Sequence, residues 1–362
     1  MRTALLVLLV ALPVLASAGC FRAPLPPPEP VFPRHELTFS GSDAMEEIRA
    51  QMTLPNGSVR YRIPGTPGNA YVAGSIEEQL GILGLRTQFQ NWGSSYACRD
   101  PTPLHNVVGV RQGATNRTVV LGAHFDTRPA ADKERAAADR IRPVPGANDG
   151  ASGVAVLLEL ADVLSDRAPN LTIVYAFFDA EDGGDLPRSR WDCSTGWIMG
   201  SLRFAGSWMP RNVPRSFNVT EGVIVVDMVG DPGLVMLKEG YSVEGPGAPL
   251  QDLIYDTGRR LGHTSIFVPS VGPKITDDHR AFLDAALVQG TAQYPAVDLI
   301  HLSDDPVDPF PATHHRLSDT IENVNPVSLE AVGRTLEHVL LDMDEGPRCA
   351  YVTNESACSK AG

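Results

Sequence analysis

Acidic side chains and histidines of the kind that bind zinc are spread along the middle and the C-terminal part of this chain. They are His124, Asp149, Asp182, Asp227 and His315. Zinc sites without cysteine use imidazole nitrogen and carboxylate oxygen, and a catalytic zinc usually has three protein ligands and one open position. Glu181 stands directly before Asp182. Of two adjacent carboxylates, one can bind the metal while the other transfers a proton. The residue types therefore indicate a zinc-dependent catalytic site.

Each of these residues also has a purely structural explanation. Asp149 lies in a glycine-rich segment, residues 146–153, that precedes an amphipathic stretch, and Asp is a favoured N-cap residue. His124 fits a buried core histidine, and Asp182 and Asp227 fit turn positions after strands. Taken singly, no residue decides between the two explanations. Their joint occurrence at the ends of predicted strands favours the catalytic interpretation.

The elements that must position these residues alternate between strands and helices. Strands are predicted over residues 105–110, 118–124, 172–178, 222–226 and 296–300, the first two as neighbours, and helices over 43–51, 69–83, 154–164, 249–261 and 327–343. Such alternation is typical of a single α/β domain with a mixed, mostly parallel central sheet flanked by helices. Ligands bind such sheets at the carboxyl ends of the strands, where the acidic residues and His124 are expected.

The N-terminal residues are typical of an export signal. Arg2 precedes an apolar run, residues 4–15, that is too short to span a bilayer, and small residues follow up to Cys20. Residues 1–19 are predicted to be a signal peptide, with lipoprotein-type cleavage before Cys20 favoured over ordinary cleavage after Ala18. Residues 20–35 form a proline-rich linker suited to hold a domain away from a membrane. We expect an exported protein that is periplasmic, membrane-anchored or secreted, with a catalytic domain over residues 36–346 and a tail over 347–362.

The cysteines agree with an oxidising compartment. If Cys20 carries lipid, an even number remains: Cys98, Cys193, Cys349 and Cys358. Cys349 and Cys358 are close enough in sequence to close a small loop, which would leave Cys98 and Cys193 as the other pair. The sequence does not decide this connectivity. No pair of cysteines has the spacing of a thiolate zinc site.

The charge balance restricts the partners. The 43 acidic residues outnumber the 30 Lys and Arg residues, which gives a formal net charge of −13. Nucleic acids and anionic membranes are bound through clustered cations, so neither is expected as a partner. Contact with a membrane is expected only through a lipid at Cys20.

Several of these segments together resemble the zinc aminopeptidase family, over about Arg62 to Met343. They are residues 124–126, 146–153, 177–182, 226–230 and 315–323. Within that family the chain is most similar to the glutaminyl-peptide cyclotransferase branch, the animal-type glutaminyl cyclases. The segments that carry this second resemblance are residues 126–129, 177–182 and 277–279, with a tryptophan-containing region before Gly200.

The resemblance implies a role for each matching residue. Asp149, Asp182 and His315 match the ligands of a single zinc ion, and Glu181 matches the general base and acid. Asp227 and Asp277 match carboxylates around the reacting amine, and Trp191 matches the aromatic wall of the substrate pocket, with Trp197 as the alternative. The implied reaction closes the N-terminal glutamine of a peptide or protein to pyroglutamate and releases ammonia.

This chain departs from the animal cyclases at several positions. Asp182 replaces a Glu ligand, His314 stands in place of a Trp, and Asp298 replaces a His of the pocket. The main alternative is a two-zinc aminopeptidase, in which His124 and Asp227 complete a second metal site and Asp149 bridges the two ions. A third possibility is a non-catalytic binding module. It is disfavoured because the chain retains Glu181 together with every candidate zinc ligand, and a non-catalytic module has no chemical need for a carboxylate that transfers protons.

Overall fold

The computed structural model describes residues 35–97, 99–186, 196–213, 220–284 and 294–346. The predicted signal peptide, most of the linker, the C-terminal tail, Trp191 and all five cysteines lie outside these ranges. The export signal, the lipid anchor and the disulfide pairing therefore stay predictions.

A six-stranded sheet forms the centre of the domain, and a parallel pair of short strands forms a second sheet. The strands are β1 (Arg86–Tyr96), β2 (Arg99–Arg111), β3 (Thr118–His124), β4 (Thr172–Phe178), β5 (Thr220–Asp227), β6 (Met236–Lys238), β7 (Phe267–Val271) and β8 (Ala296–Ile300). The order in the large sheet is β1-β2-β4-β3-β5-β8. Strands β4, β3, β5 and β8 run parallel, whereas β2 is antiparallel to both β1 and β4. The fold is the predicted α/β domain with a mixed, mostly parallel sheet.

Helices cover both faces of this sheet. They are α1 (Gly41–Met52), α2 (Pro67–Ile82), α3 (Ala151–Val163), α4 (Met199–Arg203), α5 (Met209–Asn212), α6 (Gly240–Glu244), α7 (Ala248–Arg260), α8 (Arg280–Leu283) and α9 (Pro326–Glu345). One apolar core joins α1, α2, α3, α7 and α9 to one face, and a second core joins the α4–α5 segment and α8 to the other. Strands β3 and β4 are buried along their whole length. Their sequences are therefore largely apolar throughout and do not alternate between apolar and polar residues.

The predicted elements match the observed ones closely, with one error in their arrangement. Strands β2 and β3 were expected to be neighbours, but β4 lies between them. The crossover through α3 places β4 parallel to β3, and the β1–β2 hairpin then adds to the free edge of β4. The sequence between two apolar segments does not determine at which edge of the sheet the second strand pairs.

The register brings the carboxyl ends of the parallel strands to one edge. His124 at the end of β3 pairs with Phe178 at the end of β4, and Asp227 at the end of β5 pairs with Ile300 at the end of β8. The segments that follow these four strands therefore start side by side. The sequence analysis predicted that the acidic residues and His124 lie at this edge of the sheet.

Glu159 on α3 is buried at the contact with the N-terminus of α1, where it accepts a hydrogen bond from the backbone N–H of Ser40 at 3.1 Å. Burial raises its pKa to about 7, although the Ser40 bond opposes this rise and nearby carboxylates add to it. A raised carboxyl pKa costs stability once the pH exceeds the unfolded value of about 4.3, and the full cost is present above the folded value.

We therefore expect Glu159→Gln to raise the melting temperature at pH 8 by roughly 1–3 °C and to leave it unchanged at about pH 3, because at that pH the carboxyl group is almost entirely protonated in both the folded and the unfolded state. Glu78→Gln, an exposed change on α2, is the matched control and should show no such pH dependence. An equal effect of Glu159→Gln at both pH values would show that the ionised carboxylate costs no stability.

None of the helices in the described ranges combines the length and the apolar character needed to cross a membrane.

Candidate metal centre and active site

Asp149, Asp182 and His315 come together from three separate loops. Asp149 lies two residues before the start of α3, Asp182 follows β4, and His315 lies in the loop between β8 and α9. Nε2 of His315 lies 3.2 Å from Oδ1 of Asp182 and 4.0 Å from Oδ2 of Asp149. All three side chains are buried. Both predicted carboxylate ligands therefore lie close to the His315 imidazole.

A second group shares Asp149. Nε2 of His124 lies 3.1 Å from Oδ1 of Asp149 and 3.3 Å from Oδ1 of Asp227. These His124 and Asp227 atoms are buried and lack a hydrogen bond of regular geometry. Ligand atoms of a tetrahedral zinc with bonds of about 2.0 Å lie about 3.3 Å apart, so His124, Asp149 and Asp227 have the donor types and spacing that zinc requires. In the first group, the ligand atoms of Asp149 and His315 lie within 4.8 Å of one another and of His314.

The backbone around these groups adopts conformations that non-glycine residues rarely take. Ala180 before Glu181, Met228 after Asp227 and His315 itself have φ values of 58°, 47° and 55°. Strained backbone of this kind concentrates at functional sites, because the surrounding structure must enforce it. Gly150 is required for another reason: a Cβ there would lie 2.4 Å from Nε2 of His124.

Three further carboxylates contact the candidate metal ligands or the backbone beside them. Asp126 contacts Nδ1 of His124 at 3.4 Å and accepts hydrogen bonds from the backbone N–H groups of Glu181 and Asp182. Asp132 contacts Nδ1 of His315 at 3.3 Å. Asp319 accepts hydrogen bonds from the N–H groups of Asn148 and Asp149, at 2.8 and 3.1 Å. Metal-binding imidazoles usually have such a carboxylate partner on their other nitrogen, which further supports a zinc site.

Sequence reasoning did not assign these supporting roles. Asp126 and Asp319 lie within two of the segments that resemble the zinc aminopeptidase family, residues 124–126 and 315–323, so the sequence contained a signal for both. Asp132 had none, because its loop contains no recognisable pattern.

The pKa values of the site reflect its dense negative charge. Burial alone would lower the pKa of His124, but its contacts with Asp126, Asp149 and Asp227 raise the pKa well above the ordinary value. Burial raises the pKa of Glu181 well above the usual carboxyl range; the charge of His124 opposes this, and the charges of Asp182, Asp278 and Asp277 add to it. Carboxylates from two segments, residue 182 and residues 277–278, therefore surround Glu181.

Aromatic rings border the centre on the side of His315. The indole of Trp197 stacks on the His315 imidazole, with ring centroids 6.1 Å apart and planes 10° apart. His314 packs against Phe310 at 4.3 Å, and its Nδ1 accepts a hydrogen bond from Nζ of Lys133 at 2.7 Å. Trp197, the alternative to Trp191 for the pocket wall, thus lies beside the candidate zinc ligands.

The remaining predicted site residues are Asp227, Asp277 and Asp298. Asp227 and Asp277 are buried close enough for the charge of Asp227 to raise the pKa of Asp277. Asp298, predicted to bind substrate, is fully buried within β8, and its carboxylate contacts His279 at 3.2 Å. Asp277, His279 and Asp298 form a third group whose ligand atoms lie within 4.8 Å of one another.

Asp132 offers a test of the zinc site that needs no activity assay. We expect Asp132→Asn to weaken zinc binding by roughly 10–100-fold, because loss of a carboxylate partner makes the His315 imidazole a poorer and less well oriented ligand. Competition with a chromogenic chelator measures the change. Asp139→Asn, on the same loop with its side chain 39% exposed, is the matched control. Equal zinc affinity in both variants would show that Asp132 does not support a ligand.

Comparisons with known proteins agree with this geometry. The model of peptidase family M28 matches residues 106–340. A protein named "Probable zinc metalloprotease" in Pyricularia oryzae is 35% identical over 66% of this chain, but the match spans only 45% of that relative's length. Two solved structures cover nearly the whole fold. The glutaminyl cyclase of Tannerella forsythia (30% identity, TM-score 0.74) is matched over 86% of this chain and 100% of its own. A Zn-dependent exopeptidase of Parabacteroides distasonis (28% identity, TM-score 0.73) is matched over 83% and 98%.

Proposed function

Because the chain belongs to peptidase family M28, a zinc enzyme family, we propose that it is a zinc-dependent glutaminyl-peptide cyclotransferase. Such an enzyme converts the N-terminal glutamine of peptides or proteins to pyroglutamate with release of ammonia. The observation that carries the proposal is the group of buried carboxylates from Asp277 and Asp278 around Glu181, within a fold that matches a glutaminyl cyclase over that protein's whole length.

Asp149, Asp182 and His315 would hold the zinc ion. When bound there, zinc supplies Lewis-acid polarisation of the γ-carbonyl of the substrate glutamine. The carboxylates of Asp227 and Asp277 would accept hydrogen bonds from the α-amine and orient it. The reaction itself is intramolecular, so the nucleophile is already attached to its target.

Glu181 would transfer the proton. The α-amine nitrogen forms a bond to the γ-carbonyl carbon and gives a proton to the Glu181 carboxylate. The bond between that carbon and the side-chain nitrogen then breaks, and Glu181 returns the proton to the leaving nitrogen, which departs as ammonia. Burial of Glu181 keeps bulk water away from both transfers.

The location of this activity is part of the proposal. The apolar run over residues 4–15 and the small residues before Cys20 support export, either as a lipoprotein held by Cys20 or as a soluble protein. Exported peptides and proteins with N-terminal glutamine would then be the substrates.

Ammonia release from a glutamine-initiated peptide tests the proposal. We expect release from the free peptide and none from the same peptide with an acetylated α-amine, because acetylation removes the nucleophile. Release from both peptides would mean that water, not the amine, attacks the side chain. Release from neither would reject the cyclase.

A two-zinc aminopeptidase is the second candidate, favoured by the distances of 3.1 and 3.3 Å that join His124 to Asp149 and Asp227. His124→Ala separates the two functions. A cyclase should keep one zinc per chain in this variant, whereas an aminopeptidase should fall from two zinc ions to one and lose hydrolysis of leucyl amide.

A further inference from the structure

Arg128 is a buried arginine beside the candidate zinc ligands. It belongs to residues 126–129, a segment by which the chain resembles the glutaminyl cyclases, and the proposed reaction gives it no role. It lies in the loop between β3 and α3, and its side chain is only 1% exposed. A guanidinium is always charged, and such a group is rarely buried unless it is paired. The partners of Arg128 therefore indicate its role.

The first partner is the candidate zinc ligand Asp182. Nη1 of Arg128 donates to Oδ1 of the Asp182 carboxylate at 3.0 Å and to the Asp182 backbone carbonyl at 3.3 Å. The same Oδ1 lies 3.2 Å from Nε2 of His315. Because one nitrogen bonds both the main chain and the side chain of Asp182, it restricts the rotation of the carboxylate. Arg128 thus directly orients Asp182 toward His315.

The second partner is Asp132. Nε and Nη2 of Arg128 donate to its two carboxylate oxygens at 2.7 and 3.2 Å. This is a bidentate pair, in which a planar guanidinium and a planar carboxylate fix each other's orientation. Asp132 in turn contacts Nδ1 of His315 at 3.3 Å. Arg128 therefore reaches a second candidate zinc ligand, His315, through Asp132.

The flat face of the guanidinium lies against Trp197. Cζ of Arg128 lies over the indole ring, 4.8 Å from the ring centroid, and the indole itself stacks on the His315 imidazole. Arg128 thus contacts two carboxylates with its edge and an aromatic ring with its face. Only arginine combines these two kinds of contact, since the ammonium of lysine is a point charge without a face or a fork of donors.

We propose that Arg128 is a positioning residue that orients two of the three candidate zinc ligands, Asp182 directly and His315 through Asp132. The hydrogen bonds join only groups of the protein, so they can orient the ligands before the ion binds. This rests on the proposed function for its zinc ligands, and it applies equally if the zinc serves an aminopeptidase.

Arg128→Lys separates orientation from charge. A lysine keeps the positive charge beside Asp182 but cannot form the bidentate pair with Asp132 as well. We expect zinc affinity, measured by competition with a chromogenic chelator, to fall by roughly 10–100-fold, the usual cost of losing an outer partner of a metal ligand. Arg142→Lys is the matched control, because Arg142 lies on the same loop, pairs with Asp139 and is 58% exposed in its side chain. Equal zinc affinity in the two lysine variants would overturn the proposal.

A double variant tests the route from Arg128 to His315. If Arg128 acts on His315 through Asp132, then Asp132→Asn removes a contact that Arg128→Lys has already weakened. We expect the loss of zinc affinity in the double variant to be at least about threefold smaller than the product of the two single losses, since residues that share one network are not independent. A loss equal to that product would show that Asp132 supports His315 without Arg128.

A readout that keeps Arg128 in place covers a lysine variant that folds poorly. In ¹⁵N-arginine spectra of the wild-type protein, the Nε–H signal that shifts most on Asp132→Asn identifies Arg128, because this group donates to Asp132. That signal should exchange slowly with water, and it should shift when EDTA removes zinc, because the ion and Arg128 then no longer share Asp182. A signal that stays unchanged on zinc removal would contradict the proposal.

The two proposals fail in different ways. If the wild-type protein binds no zinc, the proposed function is wrong. If the wild-type protein binds zinc and forms pyroglutamate but Arg128→Lys keeps the wild-type zinc affinity, only the role of Arg128 is wrong.

Discussion

Glu181→Gln should lose nearly all turnover of a glutamine-initiated peptide and keep its zinc. The carboxamide has nearly the shape of the carboxylate but cannot take a proton from the amine or return it to the leaving nitrogen. Proton transfer by a positioned side chain contributes about 10²–10⁴-fold to a rate, so we expect kcat to fall by that factor while KM changes little. Steady-state kinetics together with zinc quantification measure both effects.

The hydrogen bond that Glu181 donates to the Asp126 carboxylate comes from its backbone N–H and does not involve the Glu181 side chain. The loop should therefore keep its conformation in this variant. Glu78→Gln on the exposed face of α2 is the control for the chemical change alone and should be fully active. A Glu181→Gln enzyme with most of its activity would show that another group transfers the proton.

His315→Ala should lose zinc and, with it, all measurable turnover. This change removes the imidazole that lies 3.2 Å from Asp182 and 4.0 Å from Asp149, and it leaves two buried carboxylates without that partner. Zinc that binds only the native state stabilises it, so the melting temperature of the wild-type protein should fall on addition of EDTA. The variant should show no response to EDTA.

His263→Ala, on the loop between α7 and β7, replaces a histidine whose side chain makes no hydrogen bond to any of the described residues. It should bind zinc and respond to EDTA like the wild-type protein. Full zinc occupancy in His315→Ala would remove His315 from the ligand set and leave His314 or His124 as the imidazole ligand.

The strands that carry the site were predictable because they are buried on both faces. Residues 119–123 and 173–178 are unbroken apolar runs, and in residues 296–300 only Asp298 interrupts the run. Polar side chains at or just beyond the ends of β3 and β4 indicated the edge of the sheet at which the catalytic residues were expected. β1 was not predicted, since it lies at the edge of the sheet and only Tyr96 within it is buried. Its sequence has little of the apolar signal that marks an inner strand.

The supporting groups were harder to predict than the ligands. His279 and Asp298 are 19 positions apart in sequence, and Glu239 lies 40 positions before His279, so no local spacing predicts their contact. Asp132 meets His315 only because two loops converge above the sheet. Residue types indicate which groups can bind a metal, whereas the orientation of those groups depends on contacts that the tertiary fold creates.

Mass spectrometry of one glutamine-initiated peptide, incubated with the zinc-loaded protein in ¹⁸O-labelled water, tests the central claim most directly. The cyclase predicts a peptide of unchanged length that is lighter by one ammonia and contains no ¹⁸O, because the amine of the same residue is the nucleophile. A peptide shortened by one residue, with ¹⁸O in the released glutamine, would contradict the cyclase and identify a peptidase that activates water.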